Sequence, residues 1–185
     1  LDAHAEAGHE LIPIDGKVPV ERGWTKAEPM NLDKARARMR AGKNVGVRLR
    51  AADLVIDVDP RHFEDGDDPV ARLWKDFVLP ECPFVRTGGG GSHFYLRKPD
   101  DVEVVDRLAA YPGIEFKSKG RQVVAAGSVH PSTGLVYALD DDALAMSLSE
   151  ASEATTALLD AIRKPTIEAS GDEPGAIDPE TLAEW

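Results

Sequence analysis

Two aspartates stand two residues apart at the end of an apolar run, LVIDVDP, at Asp57 and Asp59. Side chains alternate along a strand, so Leu54, Ile56 and Val58 share one face. Val55, Asp57 and Asp59 share the other, with the two acidic Cα atoms about 6.6 Å apart. Acids that close repel each other unless a cation lies between them. The spacing suits two Mg²⁺ or Mn²⁺ ions about 3.5–4 Å apart, an arrangement used in phosphoryl transfer. The competing reading is structural, because Asp starts turns and DPRHFEDGDDP is turn-like.

A second constellation lies in TGGGGSHFYLR, Thr87 to Arg97. The glycines have the composition of a flexible spacer, but FVRT and SHFYLRK on either side are each only strand length and each need a partner. A wide hairpin turn is the better reading. GGGGSH lacks the Gly-Lys-Ser/Thr ending of a Walker A loop, although bare glycines can still bring backbone N–H groups near phosphate oxygens. Beyond the turn, His93, Tyr95 and Arg97 share a face while Phe94 and Leu96 point to the core. A strand histidine is commonly structural; the place of His93 just after the glycines, with Arg86 before them, favours function.

The third constellation is Glu115 in GIEFKSKGRQ. Ile114 and Phe116 alternate inward, leaving Glu115 and Lys117 on the opposite face with Lys119 and Arg121 at the following turn. Taken alone, a Glu-x-Lys pair is ordinary surface. As a third metal ligand, Glu115 would complete a carboxylate set whose neighbouring cations hold phosphates.

The elements that must position these residues read as mixed α/β. A frayed helix precedes a strand at HELIPID, and DGKVPVERGWTKAEP is a loop punctuated by Gly and Pro. Asn31 caps a helix running to about Ala41, stopped by Gly42. NVGVRL and DLVIDVD are strands, and Asp68-Pro69 opens the helix VARLWKDF. Residues 101–110 are expected to be helical, GIEFKS and RQVVAA to be strands around Lys119-Gly120, and GLVYAL to be a last strand. DDALAMSL and SEATTALLDAIRK read as helices before a Pro, Gly and acid-rich linker from Pro165. The hairpins disfavour an all-parallel, doubly wound sheet.

With 185 residues and 42% hydrophobic content the chain can bury a real core. It has no apolar stretch of about 20 residues and no signal-peptide pattern at LDAHAEAGHE, so a cytoplasmic protein without membrane contact is expected. The single cysteine, Cys82, is expected to be a plain thiol. Leu1 in place of Met, and the ending at Trp185, suggest a fragment of a longer protein. The net charge of -11 argues against a nucleic-acid partner only until its distribution is counted. Residues 139–185 hold 12 acidic and 2 basic side chains, whereas residues 1–138 hold 21 and 20.

In order, the three constellations resemble the motifs of the archaeo-eukaryotic primase superfamily, in particular the bifunctional DNA primase/polymerase (prim-pol) domain of phage and plasmid replication proteins. Asp57 and Asp59 match its acid-x-acid motif, Ser92-His93 its histidine after small residues, and Glu115 its third acid, where Asp is commoner. LIPIDGKVPVERGW resembles the family's opening and RQVVAAGSVHPSTGLVY the segment after the third motif, although AAGSVHP departs from its frequent Pro-Pro-Ser form.

The resemblance implies an α+β fold with an RNA-recognition-motif-like catalytic sheet of mixed and antiparallel strands, flanking helices and an N-terminal α/β unit. Residues 1–164 would be the catalytic domain, with the N-terminal unit at about 1–56, the motif-bearing sheet at 53–138, C-terminal helices at 140–164 and an acidic tail at 165–185. It implies a template-directed nucleotidyltransferase in which Asp57, Asp59 and Glu115 hold two Mg²⁺ or Mn²⁺ ions, with no organic cofactor. His93 would bind the incoming nucleotide's triphosphate with help from Ser92, Arg86, Lys117, Lys119 and Arg121, and Ser128 and His130 are further candidates. Single-stranded DNA template, primer, and dNTP or NTP are the implied partners, with a helicase region following in the full-length chain and the cytoplasm of a bacterium, or of a phage's host, as the setting.

Two rivals remain at this stage. A non-catalytic single-stranded nucleic-acid binding module would stack bases on exposed aromatics, and Tyr95 is its one obvious candidate. A replication initiator nuclease would need a close His pair, and His93-Phe94-Tyr95 supplies one histidine.

Overall fold

The alternation in HELIPID and NVGVRL becomes β1 (Glu10–Asp15) and β3 (Val45–Arg48), antiparallel partners with Leu11 opposite Val47. The computed structural model describes residues 1–139 and 146–165. β2 (Val18–Pro19) and β8 (Gln122–Val124) complete a four-stranded sheet in the order β2-β1-β3-β8. Arg48, buried in β3, donates to Glu10 at 2.6 Å and to the carbonyls of Trp24 and Ala27, both at 2.7 Å, which fastens the long loop over this sheet. Helix α1 (Asp2–Glu6) precedes β1. Helix α2 (Leu32–Arg40) starts where expected, with Asn31 Oδ1 accepting from the Lys34 N–H at 3.0 Å, and buries Ala35.

The second sheet has the order β7-β4-β6-β5-β9, built from β4 (Asp53–Val58), β5 (Phe84–Arg86), β6 (Ser92–Arg97), β7 (Ile114–Lys117) and β9 (Ala138–Leu139). Every pairing between these named strands is antiparallel, so the molecule is α+β. Asp68 caps α3 (Pro69–Asp76), accepting from the Ala71 N–H at 2.9 Å, and α4 (Thr156–Ile162) follows much later.

Both faces of the second sheet are covered. Val55, Val85 and Tyr95 join Leu11, Val47 and Val123 of the first sheet in one core. Leu54, Ile56, Leu96 and Phe116 pack on the other side with Leu73 of α3 and Leu158, Leu159 and Ile162 of α4.

Four expectations need correction. Tyr95 is on the predicted face, but the first sheet covers that face and leaves the ring 2% exposed, so it offers no stacking surface. β7 and β8 do not pair with each other; the turn at 118–121 carries the chain from the second sheet to the first. Residues 101–110 form no helix, because the buried Val102 and Val104 are two apart, a strand-like spacing. That segment is tied by Val105 N–H to the Ile162 carbonyl at 2.7 Å and by its Asp106 carbonyl to the Phe116 N–H at 2.8 Å. GLVYAL shortens to β9, with Val136 bridging to Val129. Most of DDALAMSL and the tail beyond residue 165 lie outside the described residues. Among those described, no helix is long and apolar enough to cross a membrane. Burial pushes the Cys82 thiol up to about 12, in keeping with a plain thiol.

The N-terminal helix is anchored by His4, which is fully buried. The Ala126 N–H donates to His4 Nε2 at 3.1 Å, so the neutral ring carries its proton on Nδ1 and donates it to His9 Nδ1 at 3.0 Å. Burial, then the neighbouring His9, hold His4 well below the ordinary histidine value, and burial takes His9 down to about 4 against the pull of Asp53. The folded rings are neutral while the unfolded rings protonate near 6.5, so their contribution is present above that pH and lost as pH falls towards 4. At about pH 5 a buried neutral His4 should cost about 2 kcal/mol of stability relative to pH 7. Denaturant midpoints across that range check this: His4→Asn should flatten the decline, and a slope unchanged by the substitution would contradict it.

Candidate functional site

β4 lies between β6 and β7, and the two registers set Asp57 opposite His93 on one side and opposite Glu115 on the other. Directly opposed residues in antiparallel strands have Cα atoms about 4.5–5.5 Å apart. Three residues remote in sequence therefore stand abreast in one row across the sheet. They face a cavity of about 550 Å³ whose far wall includes Lys17, Gln122 and Val124 of the first sheet and its β1–β2 turn.

The row would be self-repelling without its cation. Lys117, two residues beyond Glu115 on β7, points to the same face and places Nζ 2.5 Å from Asp57 Oδ2 and 3.3 Å from Glu115 Oε2. Burial disfavours the charged ammonium, but Asp57 and then Glu115 overcome it and raise the Lys117 pKa. Burial likewise works against ionised Glu115, yet Arg107 and Lys117 hold its pKa below the usual value, with Arg107 Nε donating to Oε1 at 3.0 Å. Asp59, just past the strand end, turns to Arg61, whose Nε and Nη2 reach its two oxygens at 2.8 and 2.6 Å. That bidentate contact lowers Asp59 to about 2. No three His, Cys, Asp or Glu side chains among the described residues are grouped to hold a metal ion.

His93 is 5% exposed, and burial depresses its pKa to about 4 despite Asp57. Its Nε2 lies 3.5 Å from Asp57 Oδ1, longer than a formed hydrogen bond, and its Nδ1 has no partner. The ring is a neutral imidazole beside the acid row.

The cavity thus gathers Asp57, Asp59, Glu115, His93, Lys117 and His130 of the residues picked out in the sequence. Five others are elsewhere. Ser92 and Arg86 pair with each other one step along from His93, in the row that alternation turns away from it, and the Arg86 guanidinium lies 5.8 Å from the centre of the Phe84 ring. Lys119 is exposed at the sheet-changing turn, and Arg121 pairs with Asp106. Ser128 is 1% exposed, its hydroxyl accepting from the Val45 N–H and donating to the Val45 carbonyl, both at 3.0 Å. Lys17, Arg61 and Arg107 supply the cavity's further cations. Arg61 could have been found from its spacing to Asp59 and Lys17 from its Gly-Lys-x-Pro loop. Arg107 was hidden by the expected helix.

The glycine run is a hairpin turn between β5 and β6, closed by Thr87. The Thr87 N–H donates to the Gly91 carbonyl at 2.8 Å, and the N–H groups of Gly90 and Gly91 donate to the Thr87 carbonyl at 3.1 Å and hydroxyl at 3.0 Å. Those two N–H groups are therefore spent inside the turn. The glycines matter for contact: a Cβ on Gly91 would collide with the Val58 carbonyl oxygen, and one on Gly88 would lie 2.5 Å from His130 Cβ and the Leu135 carbonyl oxygen.

Fold and site together define an α+β domain with a charged cleft between two antiparallel sheets, its acids and a histidine abreast on one of them. Residues 1–154 match the family described as bifunctional DNA primase/polymerase, N-terminal, and the chain belongs to that family of DNA-synthesising nucleotidyltransferases. No curated protein matches the chain.

The turn makes a direct prediction. Gly90 has φ +89° and open space around it, so Gly90→Ala should cost about 1–2 kcal/mol for backbone strain alone. Gly91→Ala must push β6 off the end of β4 and should cost more, about 3 kcal/mol. Equal losses in chemical denaturation would show that contact with Val58 does not fix the turn.

Proposed function

We propose that this domain is a template-directed nucleotidyltransferase that acts as a DNA primase and polymerase on single-stranded template. The observation that carries the reading is the in-register row of Glu115, Asp57 and His93 over a cavity rimmed by Lys17, Arg61 and Arg107. A nucleoside triphosphate needs cations at its phosphates and acids near its reacting centre, and the cavity offers both. The buried Tyr95 removes the one aromatic that a base-stacking, non-catalytic module would have used.

The donor set fits divalent cations in kind, since Asp57, Asp59 and Glu115 are hard oxygen ligands. The Lys117 ammonium, touching both Asp57 and Glu115, occupies the place of a cation between them. Asp57, Asp59 and Glu115 would hold Mg²⁺ or Mn²⁺, which would supply activation of the attacking 3′-hydroxyl and neutralisation of charge at the α-phosphate. Around them, His93 presents a neutral N–H donor to the triphosphate. Arg107 and Arg61, which are exposed, can turn from their carboxylates to phosphate oxygens. The first sheet closes the far side of the cavity and limits water there.

Extension of a primed single-stranded template with dNTPs or NTPs and Mg²⁺ or Mn²⁺ tests the activity. Asp57→Asn and Glu115→Gln should each reduce it by about a hundredfold or more, and both should weaken Mn²⁺ binding measured by electron paramagnetic resonance. No extension under any of these conditions, with Mn²⁺ binding indifferent to both substitutions, would refute the proposal. Lys117 gives a separate test, because its charge competes with the metal. A unit charge about 4 Å away is worth on the order of 1–4 kcal/mol, so Lys117→Met should tighten Mn²⁺ binding by about tenfold. Weaker Mn²⁺ binding by that variant would show that the ammonium supports the metal instead of standing in for it.

A further inference from the structure

Residues 34–43 hold five basic side chains and no acid, in a chain whose net charge is -11. Two of the five are committed to the fold. Arg38, half-buried, donates from Nε to the Asn44 carbonyl at 2.8 Å and from Nη2 to the Ile14 carbonyl at 2.7 Å, and Arg36 pairs with Asp2 and Asp33. The other three, Lys34, Arg40 and Lys43, are exposed, and their side chains have no ion pair or hydrogen bond among the described residues. Arg40 and Lys43 lie at the C-terminal end of α2, where cations favour a helix. Lys34 is in its first turn, where a cation opposes the helix dipole, so helix stability does not account for it. Helical spacing puts Lys34 with the exposed Ala37 and Ala41 on the face turned away from the buried Ala35, and Arg40 on the border of that face. Unpaired like charges beside small side chains repel one another and attract an extended polyanion that can approach closely.

Asn44, next after Lys43, joins this face to the mouth of the cavity. Its Nδ2 donates to the Gly16 carbonyl at 2.8 Å and to the Val129 carbonyl at 2.7 Å, and its Oδ1 accepts from the Val129 N–H at 2.9 Å. Lys17, which follows Gly16 in the β1–β2 turn, lines the cavity. The cations therefore continue from α2, past Asn44, to Lys17. Beside Asn44's contacts, Val18 and Val129 are 67% and 44% exposed. A duplex keeps its bases inside, so exposed aliphatic side chains next to unpaired cations suit a strand whose bases are free.

We infer that the exposed face of α2, with Lys34, Arg40 and Lys43, is a backbone track that leads single-stranded template past Asn44 to the cavity. The inference rests on the proposed template-directed synthesis and adds a surface outside the acid row and the nucleotide cavity. Point charges on phosphates carry no sequence information, so the track accepts any sequence.

Fluorescence anisotropy of a labelled oligo-dT strand, without metal or nucleotide, tests this. Lys34→Gln, Arg40→Gln and Lys43→Gln together should weaken binding by about tenfold or more. They should also reduce the slope of log affinity against log salt by about 2, since each phosphate contact on a single strand contributes about 0.7. The exchange Lys34→Arg, Arg40→Lys and Lys43→Arg keeps the charges and should bind like the parent chain. Lys75→Gln, Arg163→Gln and Lys164→Gln remove three exposed charges from other surfaces and should change little. Equal losses from the two neutralising sets, or affinity for duplex DNA or a poly-glutamate peptide that matches the affinity for oligo-dT, would overturn the track. Template affinity indifferent to the three residues in a domain that extends primers would overturn it and leave the polymerase reading in place. Binding that depends on them in a domain that extends no primer would keep the track and discard the polymerase reading.

Discussion

The pairing register of β4 is the constraint on which the rest of the molecule depends. Because side chains alternate, a slip of one residue against β6 or β7 would turn Asp57 into the apolar core and Ile56 or Val58 into the cavity. Packing on both faces forbids it: Leu54 and Ile56 lie among Leu96, Phe116 and Leu158, while Val55 lies against Val47 and Val123 of the first sheet. The apolar residues of the strand thus fix the position of a charge that they never touch.

Holding charges abreast has its own requirement. A half-buried row of acids needs compensating charge, and the raised pKa of Lys117 records the pull of Asp57 and Glu115 on its ammonium. Each acid has a cation at hand: Lys117 serves Asp57, Arg107 serves Glu115 and Arg61 serves Asp59. The three cations differ in freedom. Lys117 is mostly buried, whereas Arg61 and Arg107 have side chains 66% and 72% exposed and give up little by changing partner. A site that balances itself with mobile cations can exchange them for those of a substrate complex.

Much of this was legible in the sequence wherever a local rule acts alone. Alternation marked β4 and β6 and assigned Asp57, His93 and Glu115 to one side; Asn31 and Asp68 announced their helices by capping. Alternation says which residues share a face but not what covers it, which is why Tyr95 was read as a stacking surface and found buried. Cations were harder still. Arg86, Lys119 and Arg121 are near the motifs in sequence but away from the cavity. Lys17 and Arg107 reach it because the first sheet folds over the second and because the 101–110 segment is pinned to α4 and β7 rather than coiled. Such neighbours are set by tertiary closure, which no spacing along the chain records.

The glycine run shows the same division between what composition suggests and what contact decides. Its sequence could serve as a spacer, and its N–H groups could serve as an anion nest, but the N–H groups of Gly90 and Gly91 are spent on Thr87. What the missing side chains permit is approach. Gly91 lies against the Val58 carbonyl, and on the opposite side Gly113 lies where a Cβ would be 2.7 Å from the Asp59 carbonyl oxygen. The acidic end of β4 is therefore flanked on both sides by bare backbone. Larger residues there would pry β6 and β7 away from β4 at the step next to the row, and Asp57 would lose its fixed distance to His93 and Glu115. The glycines belong to the site by keeping its three strands together.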